Sequence, residues 1–314
     1  MPATRNDTLD LSAASEAVLR FEAMACSAEI RIANVEPARR APLLEAAAGE
    51  VRRIEQRYSR YRTDSIVSAI NAAAGSGIAV EVDSETADLL DFAARLHALS
   101  EGRFDLTSGI LRQAWDFRAG RLPDAATLAA LCQRIGWQRV RWSPGPAPRC
   151  IALPEPGMEL DFGGFGKEYA ADRAAGRLLA AGVRSGYVNL GGDIRMLGPR
   201  PDGRGWALGI QHPRQLDATI AGLELSGGAL ATSGDYERYL EVDGRRYCHI
   251  LDPRSGWPVQ HWQSVSVVAP LCLAAGALAT TAMLMADQAL AFLDGQRVPY
   301  LAVDAAGGIH RANL

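Results

Sequence analysis

Leu160-Asp161-Phe162-Gly163-Gly164-Phe165-Gly166-Lys167-Glu168-Tyr169 runs an apolar stretch into glycines and then into charged residues. Met158 to Phe162 reads as a short strand, and a helix follows from about Lys167 to Ala181, ended by Gly182. Free amides at a helix start suit anionic oxygens, and Lys167 adds a full positive charge there. The glycine spacing is neither that of the Walker phosphate loop nor that of the dinucleotide fingerprint. Glycines before a helix also serve tight turns, so this segment alone leaves both readings open.

Upstream, Ala28, Ile30 and Ile32 alternate with Glu29 and Arg31 as in a strand, after a loose arm over residues 1–20. Leu44, Ala47, Val51, Ile54 and Tyr58 form one apolar helical face. A second helix starts at Ser84 as N-cap and stops at Gly102, and a third spans Asp124 to Ile135, closed by Gly136. Pro144, Pro146, Pro148, Pro154 and Pro156 mark a loop that would separate a pair of lobes meeting near 143–157. Downstream, strands are expected at Tyr187–Leu190, around Trp206–Ile210, at Val265–Ala269 and at Tyr300–Val303. An apolar helix fills Leu271–Met285. Asp243-Gly244, between Tyr239–Val242 and Arg245–Ile250, is a strong hairpin signal, because type I′ turns need positive φ. Mixed helices and strands with hairpins predict an α+β architecture and not a doubly wound sheet.

The 314 residues are 48% hydrophobic, enough for an ordinary core. Thirty-three Lys and Arg against 36 acidic residues give a net charge of −3, without the basic surplus of a nucleic-acid binder. No apolar run is read as a membrane span. Met1 to Ser15 lacks the basic-then-apolar layout of an export signal, which gives the expectation of a cytoplasmic protein. Five cysteines without CxxC pairing argue against a disulfide framework or a zinc site.

Three further segments carry polar groups in turns. Asn189-Leu190-Gly191-Gly192-Asp193 places glycines at a strand end, and Thr232-Ser233-Gly234-Asp235-Tyr236 gathers hydroxyls. In Tyr247-Cys248-His249-Ile250-Leu251-Asp252-Pro253-Arg254-Ser255-Gly256, a histidine at a strand end stands near a carboxylate, a pairing fit for a general base. There is no nucleophile elbow and no HExxH.

In this order, from about Phe21 to the C-terminal region, the segments resemble the ApbE family of FAD:protein FMN transferases. Met24-Ala25-Cys26 stands for the family's Met-Gly-Thr, and Ser59-Arg60-Tyr61-Arg62-Thr63-Asp64-Ser65 with Asn71 for its Ser-x-Tyr-x-x-Asp-Ser…Asn. Gly102-Arg103-Phe104-Asp105-Leu106-Thr107, Asp161 through Asp172 and the three segments above complete the series. The resemblance implies an α+β, T-fold-related domain of mixed sheets and flanking helices over 21–314. It implies transfer of FMN from FAD to a Ser or Thr hydroxyl of an acceptor protein, with AMP released. Tyr61 would stack on the isoalloxazine, and Met24, Asp105, Thr107, Tyr169, Thr232 and Ser233 would line the FAD site. His249 would take the proton from the acceptor hydroxyl, with Lys167 and Asp252 completing the catalytic set.

The family's metal site uses the Asp of an Ala-Asp-Ala-Leu-Ala-Thr run, but this chain reads Ala275-Gly276-Ala277-Leu278-Ala279-Thr280. Thr280 and the Gly166 carbonyl remain as implied Mg²⁺ ligands, and Gly276 offers no carboxylate. Glu168, where most relatives carry a small residue, either restores the missing charge or sits on the solvent side of the first helical turn. Two other readings use the same pocket: an FAD pyrophosphatase giving FMN and AMP, and a flavin-binding protein without catalysis. Lys167 and His249 speak against the last.

Overall fold

The computed structural model describes residues 7–13, 15–117, 120–142, 145–146 and 148–314. Residues 1–6 and 14 of the expected arm, and Pro144 of the expected boundary, lie outside the described residues. β1 (Thr8–Asp10) pairs antiparallel with β2 (Glu16–Ala23), which corrects the expectation of a loose arm over 1–20. Ala17, Leu19, Phe21 and Ala23 are buried at every second position, so the strand period starts four residues before Phe21. Met24 and Ala25, both at positive φ, turn the chain into β3 (Cys26–Ala33).

α1 (Pro37–Tyr58) buries the predicted face of Leu44, Ala47, Val51, Ile54 and Tyr58. α2 (Ile66–Ala72) is capped by Ser65, and β4 (Val80–Val82) leads to α3 (Ser84–Leu99). The cap of α3 is Asp83 and not Ser84: its longer side chain accepts the Thr86 amide at 3.0 Å. Gly102, at φ 78°, then returns its amide to the His97 carbonyl at 2.8 Å. α4 (Ala125–Cys132) is shorter than expected, because Gln133 and Arg134 leave the helix as a turn and Ile135 lies beyond it.

β5 (Arg141–Trp142) and β6 (Arg149–Ala152) pair with each other, and β6 also pairs with β4. The proline-rich stretch thus turns one small sheet back on itself. Met158–Phe162 is not a strand. The side chain of Asn71 takes the place of a neighbouring strand there, accepting the Leu160 amide at 2.7 Å and donating to its carbonyl at 3.0 Å.

α5 (Gly166–Ala180) ends as the sequence predicts, with Gly182 at φ 90°. Val183 and Gly182 donate to the carbonyls of Leu178 and Leu179, at 3.0 and 3.1 Å. β7 (Gly186–Leu190), β8 (Asp193–Gly198), the hairpin of β9 (Trp206–His212) and β10 (Gln215–Leu225), and β11 (Ala229–Gly234) follow. β12 (Tyr239–Val242) and β13 (Arg245–Cys248) flank Asp243 and Gly244, both at positive φ as a type I′ turn requires. β14 (Trp262–Ala269), α6 (Cys272–Met285), α7 (Ala289–Gln296), β15 (Tyr300–Asp304) and β16 (Ile309–Ala312) complete the chain.

Among the described residues, nine strands form one sheet in the order β1-β2-β3-β7-β8-β11-β14-β15-β16, antiparallel throughout. Residues on its strands alternate between two layers. Tyr300 and Ala302 of β15 face the main core with α1, α5 and α6, whereas Leu301 and Val303 face the β9–β10 hairpin and Trp206. The architecture is α+β, as expected.

One contact registers the two helices that carry the site. Asp172 of α5 accepts the amides of Cys272 and Leu273, at 3.0 and 2.8 Å, and so caps α6 from another helix. Arg195 holds the same carboxylate at 3.1 Å. Contrary to the sequence reading, Cys272–Gln296 is long and apolar enough to cross a membrane by length and composition. In this fold it is interrupted at Ala286 (φ 52°), whose carbonyl accepts the Trp262 indole N–H at 2.7 Å, and α6 packs on β11 and β14. Asp172→Ala should lower stability by about 1–2 kcal/mol, the cost of a lost cap, as read by thermal unfolding. Asp172→Asn, which keeps one acceptor oxygen, should lose less.

Candidate active site

Because Asp172 meets Cys272, the residue one turn earlier on α5 meets the residue one turn later on α6. Glu168 therefore lies on Gly276 in an antiparallel crossing. A Cβ at position 276 would stand 2.5 Å from both Cγ and Oε1 of Glu168. Glu168 is 7% exposed, so it is not on the solvent side of its turn. Among the described residues no donor reaches its buried Oε2. Burial, with Asp193 nearby, raises its carboxyl well above the usual range, against the pull of Lys167.

Lys167 is ion-paired with Asp193, which is buried at the start of β8. Burial works against the ammonium, but the carboxylates of Asp193 and Glu168 outweigh it and hold Lys167 charged. The other oxygen of Asp193 accepts the Thr232 amide at 3.0 Å. Thr232 and Ser266 share a hydrogen bond of 2.8 Å, and Ser233 and Thr280 one of 2.7 Å. Thr280 follows Gly276 by one turn of α6, so Ser233 extends the row of oxygens from Glu168 along the same helix face.

The turns converge from the sheet side. Gly191, at φ 60°, is so close to Cys26 that a Cβ there would stand 2.9 Å from the cysteine Cβ, and the Lys167 chain passes beside it. Met24 lies against Gly166 and donates its amide to Glu55 at 2.6 Å. Two successive non-glycine residues at positive φ, Met24 and Ala25, mark strain at this corner. Burial pushes the Cys26 thiol up to about 11, which leaves it protonated and a poor nucleophile.

His249 is half-buried. Its Nδ1 lies 3.2 Å from the Arg238 carbonyl, an acceptor, so Nδ1 carries the proton and Nε2 keeps its lone pair. Burial, then the charges of Arg238 and Lys167, push its pKa down to about 4. Asp252, expected beside His249, is turned elsewhere. It takes the Arg254 guanidinium at 3.0 and 2.7 Å and the Arg254 amide at 2.9 Å, because the Pro253 turn folds it onto its own loop. Among the described residues no hydrogen bond joins Asp252 to His249.

Three of the residues expected to line the FAD site have their polar groups engaged inside the fold. Asp105 accepts the Thr107 amide and hydroxyl at 2.7 and 2.6 Å and the Trp137 amide at 2.9 Å. The Thr107 hydroxyl also accepts the Gly136 amide at 2.8 Å, and both residues are buried. Tyr169 donates to Glu85 of α3 at 2.9 Å, one helical step away from the face that carries Glu168. Tyr61 is 76% exposed, with one face under the Arg60 guanidinium. Arg60 also pairs with Asp161, whose carboxylate accepts the Gly163 amide at 3.0 Å and so ties Tyr61 to the glycine loop. Asp193, which the sequence reading includes in the Asn189–Asp193 segment without giving it a role, pairs with Lys167 in this corner. Its signal is its place directly after Gly191-Gly192, where glycines let a strand end fold onto the Lys167 chain.

The ApbE family model matches residues 24–302. An FAD:protein FMN transferase of Klebsiella pneumoniae is 36% identical over 233 residues, 71% of each chain. The crystal structure of the ApbE protein of Thermotoga maritima superposes with a TM-score of 0.85 at 30% identity, covering 99% of this chain and 97% of that one. The flavin transferase ApbE of Vibrio cholerae superposes at 0.83 with 26% identity, covering 97% of both. Lys167→Met, which strands the buried Asp193 carboxylate, should cost about 3–5 kcal/mol of unfolding free energy, measured by denaturant titration.

Proposed function

The chain belongs to the ApbE family, and we propose that it transfers FMN from FAD to a Ser or Thr hydroxyl of an acceptor protein, releasing AMP. The observation that carries the mechanism is His249, neutral at physiological pH with Nδ1 bonded to Arg238 and Nε2 open. Nε2 takes the proton of the acceptor hydroxyl, whose oxygen forms a bond to the phosphorus nearer the flavin. The bond from that phosphorus to the bridging oxygen breaks, and AMP leaves with that oxygen. Lys167, held charged by Asp193, faces the negative charge that gathers on the pyrophosphate.

Tyr61 offers its exposed ring to the isoalloxazine, and Met24, from the turn before β3, and Thr232 and Ser233, from strand β11, line the site. Asp105, Thr107 and Tyr169 shape this pocket through their internal hydrogen bonds, and Asp252 acts by holding the loop after His249. The residues present fit Mg²⁺: Glu168 holds a buried carboxylate oxygen that no donor reaches among the described residues, Thr280 follows Gly276 by one turn of α6, and Gly166 opens the helix that carries Glu168. Bound there, the ion would supply positive charge to the pyrophosphate oxygens.

The base form of His249 is present above pH 4 and is lost as pH falls through it. At saturating Mg²⁺, where Glu168 would be held ionised, AMP release with acceptor present should therefore have its acid limb near 4. His249→Ala should lower kcat/KM by about 10²–10⁴. A limb near 6.5, the value of an unperturbed imidazole, or an unaffected variant would rule out this base.

A further inference from the structure

We infer that Glu168 and Gly276 form one size-coupled pair in which α5, rather than α6, supplies the carboxylate of the cation site. The inference rests on the transferase reading, whose metal it concerns. Its first support is steric. The space that a side chain on residue 276 would fill is occupied by the Glu168 carboxylate, with Cγ and Oε1 at 2.5 Å and Cδ at 2.8 Å from the missing Cβ. No side chain at 276 and an extended Glu168 can share it, so the absence of a side chain at 276 is the condition for Glu168 to lie there.

The second support is polar. Among the described residues no donor reaches Glu168 Oε2, and the Asp193 carboxylate stands within hydrogen-bonding reach of the Glu168 carboxyl, so two acids crowd a place where a cation would relieve their repulsion. Asp172 and its cap on α6 fix the register that brings the oxygen to this place, one turn from the Ser233–Thr280 hydroxyl pair. Among the described residues no three His, Cys, Asp or Glu side chains form a metal cage. A site of one carboxylate, neutral oxygens and substrate phosphates suits Mg²⁺, which keeps several waters and commonly takes one or two carboxylates. Lys167 and Asp193 flank it as an ion pair that is already neutral, which leaves Glu168 as the oxygen donor for the cation.

The test is a titration of the FAD-loaded protein with Mn²⁺, read by electron paramagnetic resonance of the free ion, so that metal binding is measured apart from turnover. Glu168→Gln, nearly the same shape, should weaken Mn²⁺ binding about tenfold or more. Gly276→Ala should weaken it as well, by displacing Glu168. Glu168→Ala with Gly276→Asp, which moves the carboxylate back across the crossing, should return the affinity to within about threefold of the parent protein, a non-additive cycle. Unchanged Mn²⁺ affinity in Glu168→Gln would overturn the pair, as would a folded double variant that binds no better than Glu168→Ala. A parent protein that binds Mn²⁺ through Glu168 but releases no AMP would instead overturn the transferase reading and leave the pair standing.

Discussion

The hydrogen bonds from the Cys272 and Leu273 amides to Asp172 set the geometry on which the site depends. A helix start leaves several amides without partners inside the helix, and here α6 has no cap of its own. By supplying it from α5, Asp172 fixes the antiparallel register of the two helices. Every contact along the crossing then follows by whole turns: Asp172 at Cys272, Glu168 at Gly276, and Thr280 one turn further against Ser233 of β11. The sheet strands β7, β8 and β11 pack under these helices and deliver their turns to the same corner.

Charge in that corner is arranged to be nearly balanced without a ligand. Lys167 and Asp193 neutralise each other, and burial drives Glu168 toward its uncharged form. His249 is kept neutral by burial and by the positive charges around it. In the proposed reaction a pyrophosphate would meet a charged ammonium and an imidazole able to accept a proton. Hydroxyls and backbone already held in place need little reorganisation to meet it.

Much of this is legible in the sequence because short-range chemistry decides it. The glycine ends of α3 and α5, the Asp-Gly hairpin and the apolar face of α1 each follow from a local rule, and each is present. The misreadings have longer-range causes. Met158–Phe162 has the composition of a strand, but Asn71, far away in the chain, supplies the edge it pairs with. Asp252 lies three residues from His249, yet the Pro253 turn gives it to Arg254. Asp105 and Thr107, expected at the flavin site, also accept the Trp137 and Gly136 amides, pairings across about thirty residues that no local rule gives. The sequence leaves the position of Glu168 open, because helical period alone gives the face of α5 but not which helix covers it. That answer depends on the Asp172 register.

Group transfer to a protein hydroxyl is tested most directly by intact mass spectrometry of an acceptor protein incubated with this protein and FAD. The acceptor should gain the mass of one esterified FMN at a Ser or Thr while an equal amount of AMP appears. Free FMN and AMP with an acceptor of unchanged mass would contradict the transfer and show water in place of the hydroxyl.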